Sequence, residues 1–258
     1  MRYFSPPRPH LRLAALAAVV AAWAVAAPVR ADWVTATFDT VNPGEVVTIH
    51  DTQSSVNNES GWAGQYEFKN ASGYLTGNFG GFCIDINQNI YPNQPPVTFQ
   101  VANLKDAPVP GQSMGQLRAN LIGELWSNDY SQALTSSSNA AAFQVAIWEI
   151  INETNTDTHG NLVLNVSSGQ FWVTDSTPNS TALTTANNWL SGLELDGLGK
   201  TANLIALTST QFQDYVVQAP ATATPAPSGL VLGGMAAVSG ALVAGWRRLR
   251  RHVGGLPA

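Results

Sequence analysis

Asn139-Ala140-Ala141-Ala142-Phe143-Gln144-Val145-Ala146-Ile147-Trp148-Glu149-Ile150-Ile151-Asn152 is the stretch on which the fold turns. Three alanines open it, and Phe143, Ile147, Ile150 and Ile151 recur at helical spacing, while Ser136, Ser137 and Ser138 offer N-cap hydroxyls just before it. The spacing predicts a helix over 139–152. Upstream, Leu117, Leu121, Ile122, Leu125 and Trp126 predict a first helix within 114–134, and downstream Leu183, Trp189 and Leu190 predict a short one over 181–193. Around this helical middle the pattern is that of strands. Val34, Ala36 and Phe38 alternate with polar residues, giving strands over 33–41 and 45–50 joined by a turn at Asn42-Pro43-Gly44. Further strands are expected over 64–68, 74–76, 79–86, 97–101, 162–166, 170–173, 203–207 and 215–217. Strands on both sides of inserted helices imply an α+β domain, a β-sandwich or barrel-like ectodomain.

The chemistry lies in two segments. Phe82-Cys83-Ile84-Asp85 holds the only cysteine of the chain, on an expected strand. Gln144, Ile147, Trp148 and Ile151 fall at i, i+3, i+4 and i+7, so the glutamine shares the core-facing side of its helix. If helix packs on strand, the Cys83 thiol reaches the Gln144 carboxamide carbon, expels ammonia and closes an internal thioester. Proximity must supply much of the rate, and dipoles must stabilise the tetrahedral oxyanion. The competing reading is a buried free thiol, because cysteine often behaves as a small hydrophobe, beside a glutamine bonded to backbone.

The two ends read as addresses. Arg2, Arg8 and Arg12 lead into an apolar run over 13–27, and Val29-Arg30-Ala31 supplies a cleavage site, giving a signal peptide over 1–31 and an ectodomain over 32–219. A Pro/Thr/Ala linker follows over 220–228. An uncharged span over 229–246 is long enough to cross a bilayer, and a basic cytoplasmic tail over 247–258 closes the chain.

Both halves of this pattern resemble known families. Pro225 and Pro227, the apolar span, and Arg247, Arg248, Arg250 and Arg251 are similar to the PEP-CTERM sorting signal of bacterial surface proteins. Ala226 stands where that family has Glu, and seven residues follow the arginine cluster. The resemblance implies processing by an exosortase-type membrane protease. The protein would be exported, anchored in the membrane by its C-terminal helix, then placed at the cell surface or released. Phe82-Cys83-Ile84-Asp85 with Gln144-Val145-Ala146-Ile147-Trp148 resembles the thioester domains of bacterial surface adhesins, over about 79–151, with Phe143 in place of the family's threonine. That resemblance implies a covalent attachment site at Cys83 and Gln144, supported by Phe82, Asp85, Phe143, Ile147, Trp148 and Glu149. Its targets would be amines or hydroxyls on a partner surface. The stretch to Pro220, including 211–217, also looks like the ectodomains common among PEP-CTERM proteins, a group whose functions are mostly unassigned.

Composition narrows the classes further. All 17 acidic residues lie in the ectodomain, opposed there only by Lys69, Lys105, Arg118 and Lys200, which gives it a formal charge of −13. Such a surface argues against nucleic acid, whose affinity rests on Lys and Arg neutralising phosphates. It suits a non-covalent structural or polysaccharide-associated matrix protein as an alternative. No enzyme, cofactor or metal signature is expected. A cysteine protease would need His50 or His159 beside Cys83. The run from Asp85 fails the calcium-loop pattern at Ile90 and Pro96. Asn155, Asp157 and His159 read as a polar loop before a cation site. Trp33, Trp62 and Trp172 could stack on sugars, although tryptophans of a β domain are usually core.

Overall fold

The computed structural model describes residues 32–109, 112–178 and 180–221. The expected signal peptide, nearly all of the expected linker and sorting motif, the apolar span and the basic tail lie outside the described residues. Among the described residues no helix is long and apolar enough to cross a membrane.

The described residues form an antiparallel sheet with three α-helices, an α+β arrangement. Strands β1 (Trp33–Asp51), β2 (Asn57–Gly73), β3 (Gly77–Cys83) and β4 (Val97–Asn103) come first. A small hairpin of β5 (Pro108–Val109) and β6 (Gln112–Ser113) leads to helices α1 (Gln116–Ala133) and α2 (Ser137–Asn152). Then follow β7 (Phe171–Asp175), α3 (Ala182–Leu190), β8 (Leu204–Thr208) and β9 (Tyr215–Gln218). The strand order is β2-β3-β9-β8-β4-β1-β7, and β2 also pairs with β1, so six strands close on themselves like a barrel and β7 extends the far half of β1. Closure removes most free edges, which would otherwise invite pairing with another chain.

One expected turn is absent. The Asn42-Pro43-Gly44 turn is instead a shift of register inside the single long strand β1, which pairs with β2 on both sides of it. Glycine permits this: a Cβ on Gly64 would lie 2.5 Å from the Gly44 Cα, so the two backbones meet where no side chain fits. The short strands expected over 64–68 and 74–76 are also corrected. The first belongs to the long β2, and Tyr74 to Thr76 form the turn into β3. The strand expected over 162–166 reduces to one bridge, Thr156 with Leu162.

Helix α2 sits at the centre. It packs on β1 and β2 and against α1 and α3, and every residue from Ala140 to Asn152 is buried. A helix apolar all round has to be enclosed. Ser136 caps its start by accepting the Asn139 N–H at 3.1 Å. Its end is closed from α1, where Arg118 donates to the Ile150 and Glu153 carbonyls at 3.0 and 3.1 Å. Leu117, expected in the apolar stripe of α1, is exposed instead.

Candidate functional site

Cys83 is the last residue of β3 and is fully buried. One edge of β3 is taken by β9, through Phe82 with Val216 and Cys83 with Tyr215, and the Ile84 N–H continues this edge to the Asp214 carbonyl. Backbone polar groups alternate between edges along a strand. The N–H and C=O of Cys83 therefore point to the other edge, where pairing with β2 has already stopped at Tyr66 and Gly81. Gln144 of α2 fills that gap. Its Oε1 accepts the Cys83 N–H at 2.8 Å, and its Nε2 donates to the Cys83 carbonyl at 2.8 Å. The carboxamide acts as one more residue of strand. A fully buried amide needs such partners, and a buried strand end needs them equally.

The sulfur lies in a closed polar nest. Cys83 Sγ donates to the Asp85 carbonyl at 3.1 Å, and Gln213 Nε2 donates to the same oxygen at 3.3 Å. The Tyr215 hydroxyl in turn donates to Gln213 Oε1 at 3.0 Å. Trp148, 2 % exposed, sets its indole against the sulfur, and its Nε1 has no regular hydrogen-bond acceptor among the described residues. Burial pushes the thiol far above its ordinary value. The Trp148 indole and the Asp85 carbonyl partly offset this, while the charges of Asp85 and Asp214 push the same way as burial. The resting sulfur is thus a thiol and not a thiolate. Burial also raises the Asp85 carboxyl, and lifts Asp214 to about 7 with some help from the charge of Asp85. Asp214 therefore exchanges a proton near neutrality within electrostatic reach of the sulfur.

The supporting residues divide. Phe82 packs on Phe143 at 4.8 Å between ring centroids, and both are fully buried. A phenylalanine at 143 thus completes an aromatic wall with Trp126 and Tyr130. Ile147 is core. Glu149 serves another place: its Oε1 accepts the Asn165 N–H at 2.7 Å, its Oε2 is buried with no hydrogen-bond partner among the described residues, and burial lifts it to about 8. Gln213, Asp214 and Tyr215 were not expected at the site. The only sign of them is a polar pair, Gln213-Asp214, at the mouth of an apolar strand, which reads equally as a turn.

The other candidates fall elsewhere. His50 stacks on Trp172 at 4.8 Å and bonds Thr174, and His159 sits on an exposed loop beside Asp157, so neither is engaged with Cys83. Asp157 Oδ1 accepts the His159 and Asn161 N–H groups at 2.8 and 2.9 Å, and these bonds hold its carboxyl below the usual range. That is the polar-loop reading. Among the described residues no three His, Cys, Asp or Glu side chains cluster as a metal site would require. Comparison with known proteins returned no family model, no characterised relative and no solved structure that matches this chain.

Proposed function

We propose that this is an exported bacterial surface protein whose ectodomain binds a partner covalently through a Cys83–Gln144 thioester. The observation that carries the reading is the pair of 2.8 Å hydrogen bonds that fix the Gln144 carboxamide to the backbone of the residue that bears the thiol. These bonds hold the carboxamide beside the residue that carries the thiol, and restraint of this kind favours closure. The Cys83 sulfur adds to Gln144 Cδ, its proton passes to the amide nitrogen, and ammonia leaves as the C–N bond breaks. An incoming amine then attacks the thioester carbonyl, forms an amide at Gln144 and returns the Cys83 thiol. The tail supports delivery to the surface. Its prolines, its apolar span and the arginines at 247, 248, 250 and 251 suit membrane anchoring and exosortase-type processing.

Intact-mass measurement tests this. The purified protein is expected one ammonia lighter than its calculated chain, and methylamine should add its own mass and free a titratable thiol. Cys83→Ala and Gln144→Ala should each abolish the deficit. A folded protein of full mass with a titratable thiol would reject the thioester. The second reading is then a non-covalent matrix or polysaccharide-associated protein. It is favoured by the way Gln144 already spends its amide on backbone and Cys83 its proton on Asp85.

A further inference from the structure

A cleft of about 540 Å³ opens between the β1–β2 ribbon and the loop that follows β3. Its lining is specific in kind. Trp62 on β2 and Tyr91 on the loop are 53 % and 65 % exposed, among the few large apolar side chains the described residues leave in water. Apolar side chains such as Val41, Val56, Ile86 and Ile90 make up much of the lining, and its polar part is nearly uncharged. Thr40, Ser60 and Asn89 contribute a hydroxyl, a hydroxyl and an amide, and their side chains make no hydrogen bond among the described residues. Glu59 is the only charged residue there, and no Lys, Arg or His lines the cleft. Trp148 and Gln213 also contribute to it, so it reaches the residues that pack around Cys83 without exposing the sulfur.

We propose that this cleft is a binding site for an uncharged oligosaccharide. A pyranose has an apolar C–H face and an equatorial belt of hydroxyls. The exposed aromatic faces match the first, since such rings offer large contact area at little entropic cost. The unspent hydroxyls and amide match the second, because each can donate and accept. A purely apolar ligand would bury those groups unpaired, which is unfavourable. A phosphorylated or other anionic ligand would meet Glu59 and no counter-charge. The size lies within the usual range for a ligand site, about 300–1,000 Å³. The proposal needs no bond to Cys83 and stands whether or not the thioester forms.

The test uses the full-length Cys83→Ala protein, which cannot react covalently at this position. Cellohexaose, chitohexaose and maltohexaose are titrated by calorimetry, with an uncharged hexapeptide as comparison. At least one sugar is expected to bind saturably at millimolar concentration. Trp62→Ala and Tyr91→Ala should each weaken it by an order of magnitude or more. Trp33→Ala, an exposed tryptophan outside the cleft, should leave it unchanged. Unchanged thermal unfolding of the variants ties any loss to the site. Absence of saturable binding by all three sugars, binding indifferent to both aromatics, or tighter binding of the peptide would overturn the proposal. Loss of the mass deficit in the wild type would reject the thioester and leave this site standing.

Discussion

At the residue scale, Cys83 and Gln144 are joined twice by non-covalent bonds, and both bonds use the backbone of Cys83 instead of its sulfur. This separates two substitutions that look alike on paper. Cys83→Ala removes the thiol but keeps both bonds to Gln144. Gln144→Ala removes both partners and leaves a buried N–H and C=O at the end of β3 with nothing to pair them. Each orphaned group costs about 1–3 kcal/mol. In proteins that carry no thioester, the Gln144→Ala substitution should therefore destabilise more than Cys83→Ala, by about 1–3 kcal/mol, in urea unfolding. Equal midpoints would mean that the strand end finds other partners. The pair itself was legible in sequence, because a lone cysteine in an aromatic-Cys-aliphatic-acidic segment and a glutamine on an apolar helix face are both unusual. Gln213 and Asp214 were not. A polar pair before a strand is a common turn signal, and only the close approach of β9 to β3 turns it toward the sulfur.

At the scale of elements, helices were read well and strand ends poorly, for a physical reason. A helix announces itself through local spacing and caps. Ser136 and the run after it fixed the start of α2 within a residue or two. A strand is stabilised by partners distant in sequence, so Asn42-Pro43-Gly44 signalled a turn that pairing with β2 overrode. The buried α2 is consequently tied at both ends by single side chains. Ser136→Ala should cost about 1 kcal/mol, the usual value of a lost N-cap. At the other end, Glu153 accepts the N–H groups of Thr154, Asn155 and Gln170 at 2.7, 2.5 and 3.0 Å, and so hangs the following loop from the helix. A Cβ on Gly169 would run into its Oε2. Gly169 also holds φ +133°, which a side chain rarely adopts. Gly169→Ala should thus be worse than Ser136→Ala, with faster amide exchange over 154–170. A neutral effect on that loop would show that Glu153 does not organise it.

For the molecule as a whole, the controlling feature is that, among the described residues, the groups shifted by burial that titrate below pH 9 are carboxyls. Burial lifts Glu149 to about 8 and Asp214 to about 7, and raises Asp85, Asp129 and Asp175 as well. A carboxyl with a raised folded value binds its proton more tightly in the fold than in the unfolded chain. Its stabilising contribution is complete below the ordinary carboxylate range and is lost as pH rises through the folded value. The lowered carboxyls, Asp106 through Lys105 and Asp157 through backbone N–H groups, act in the opposite sense only in stronger acid, and both are fully exposed. The formal charge of −13 over residues 32–219 adds self-repulsion in the same alkaline direction. The thermal midpoint should accordingly be higher near pH 5 than near pH 9, with the decline running from the ordinary carboxylate range up to about pH 8, where Glu149 has ionised. Glu149→Gln identifies the largest single source. Its amide oxygen can keep the Asn165 N–H, and it removes the proton that must otherwise leave from a buried site. Near pH 5 it should match the wild type closely. Near pH 9 it should be the more stable by on the order of 2–4 kcal/mol. Parallel pH profiles for the two proteins would assign the decline to surface repulsion instead, and raising the salt concentration would then flatten both.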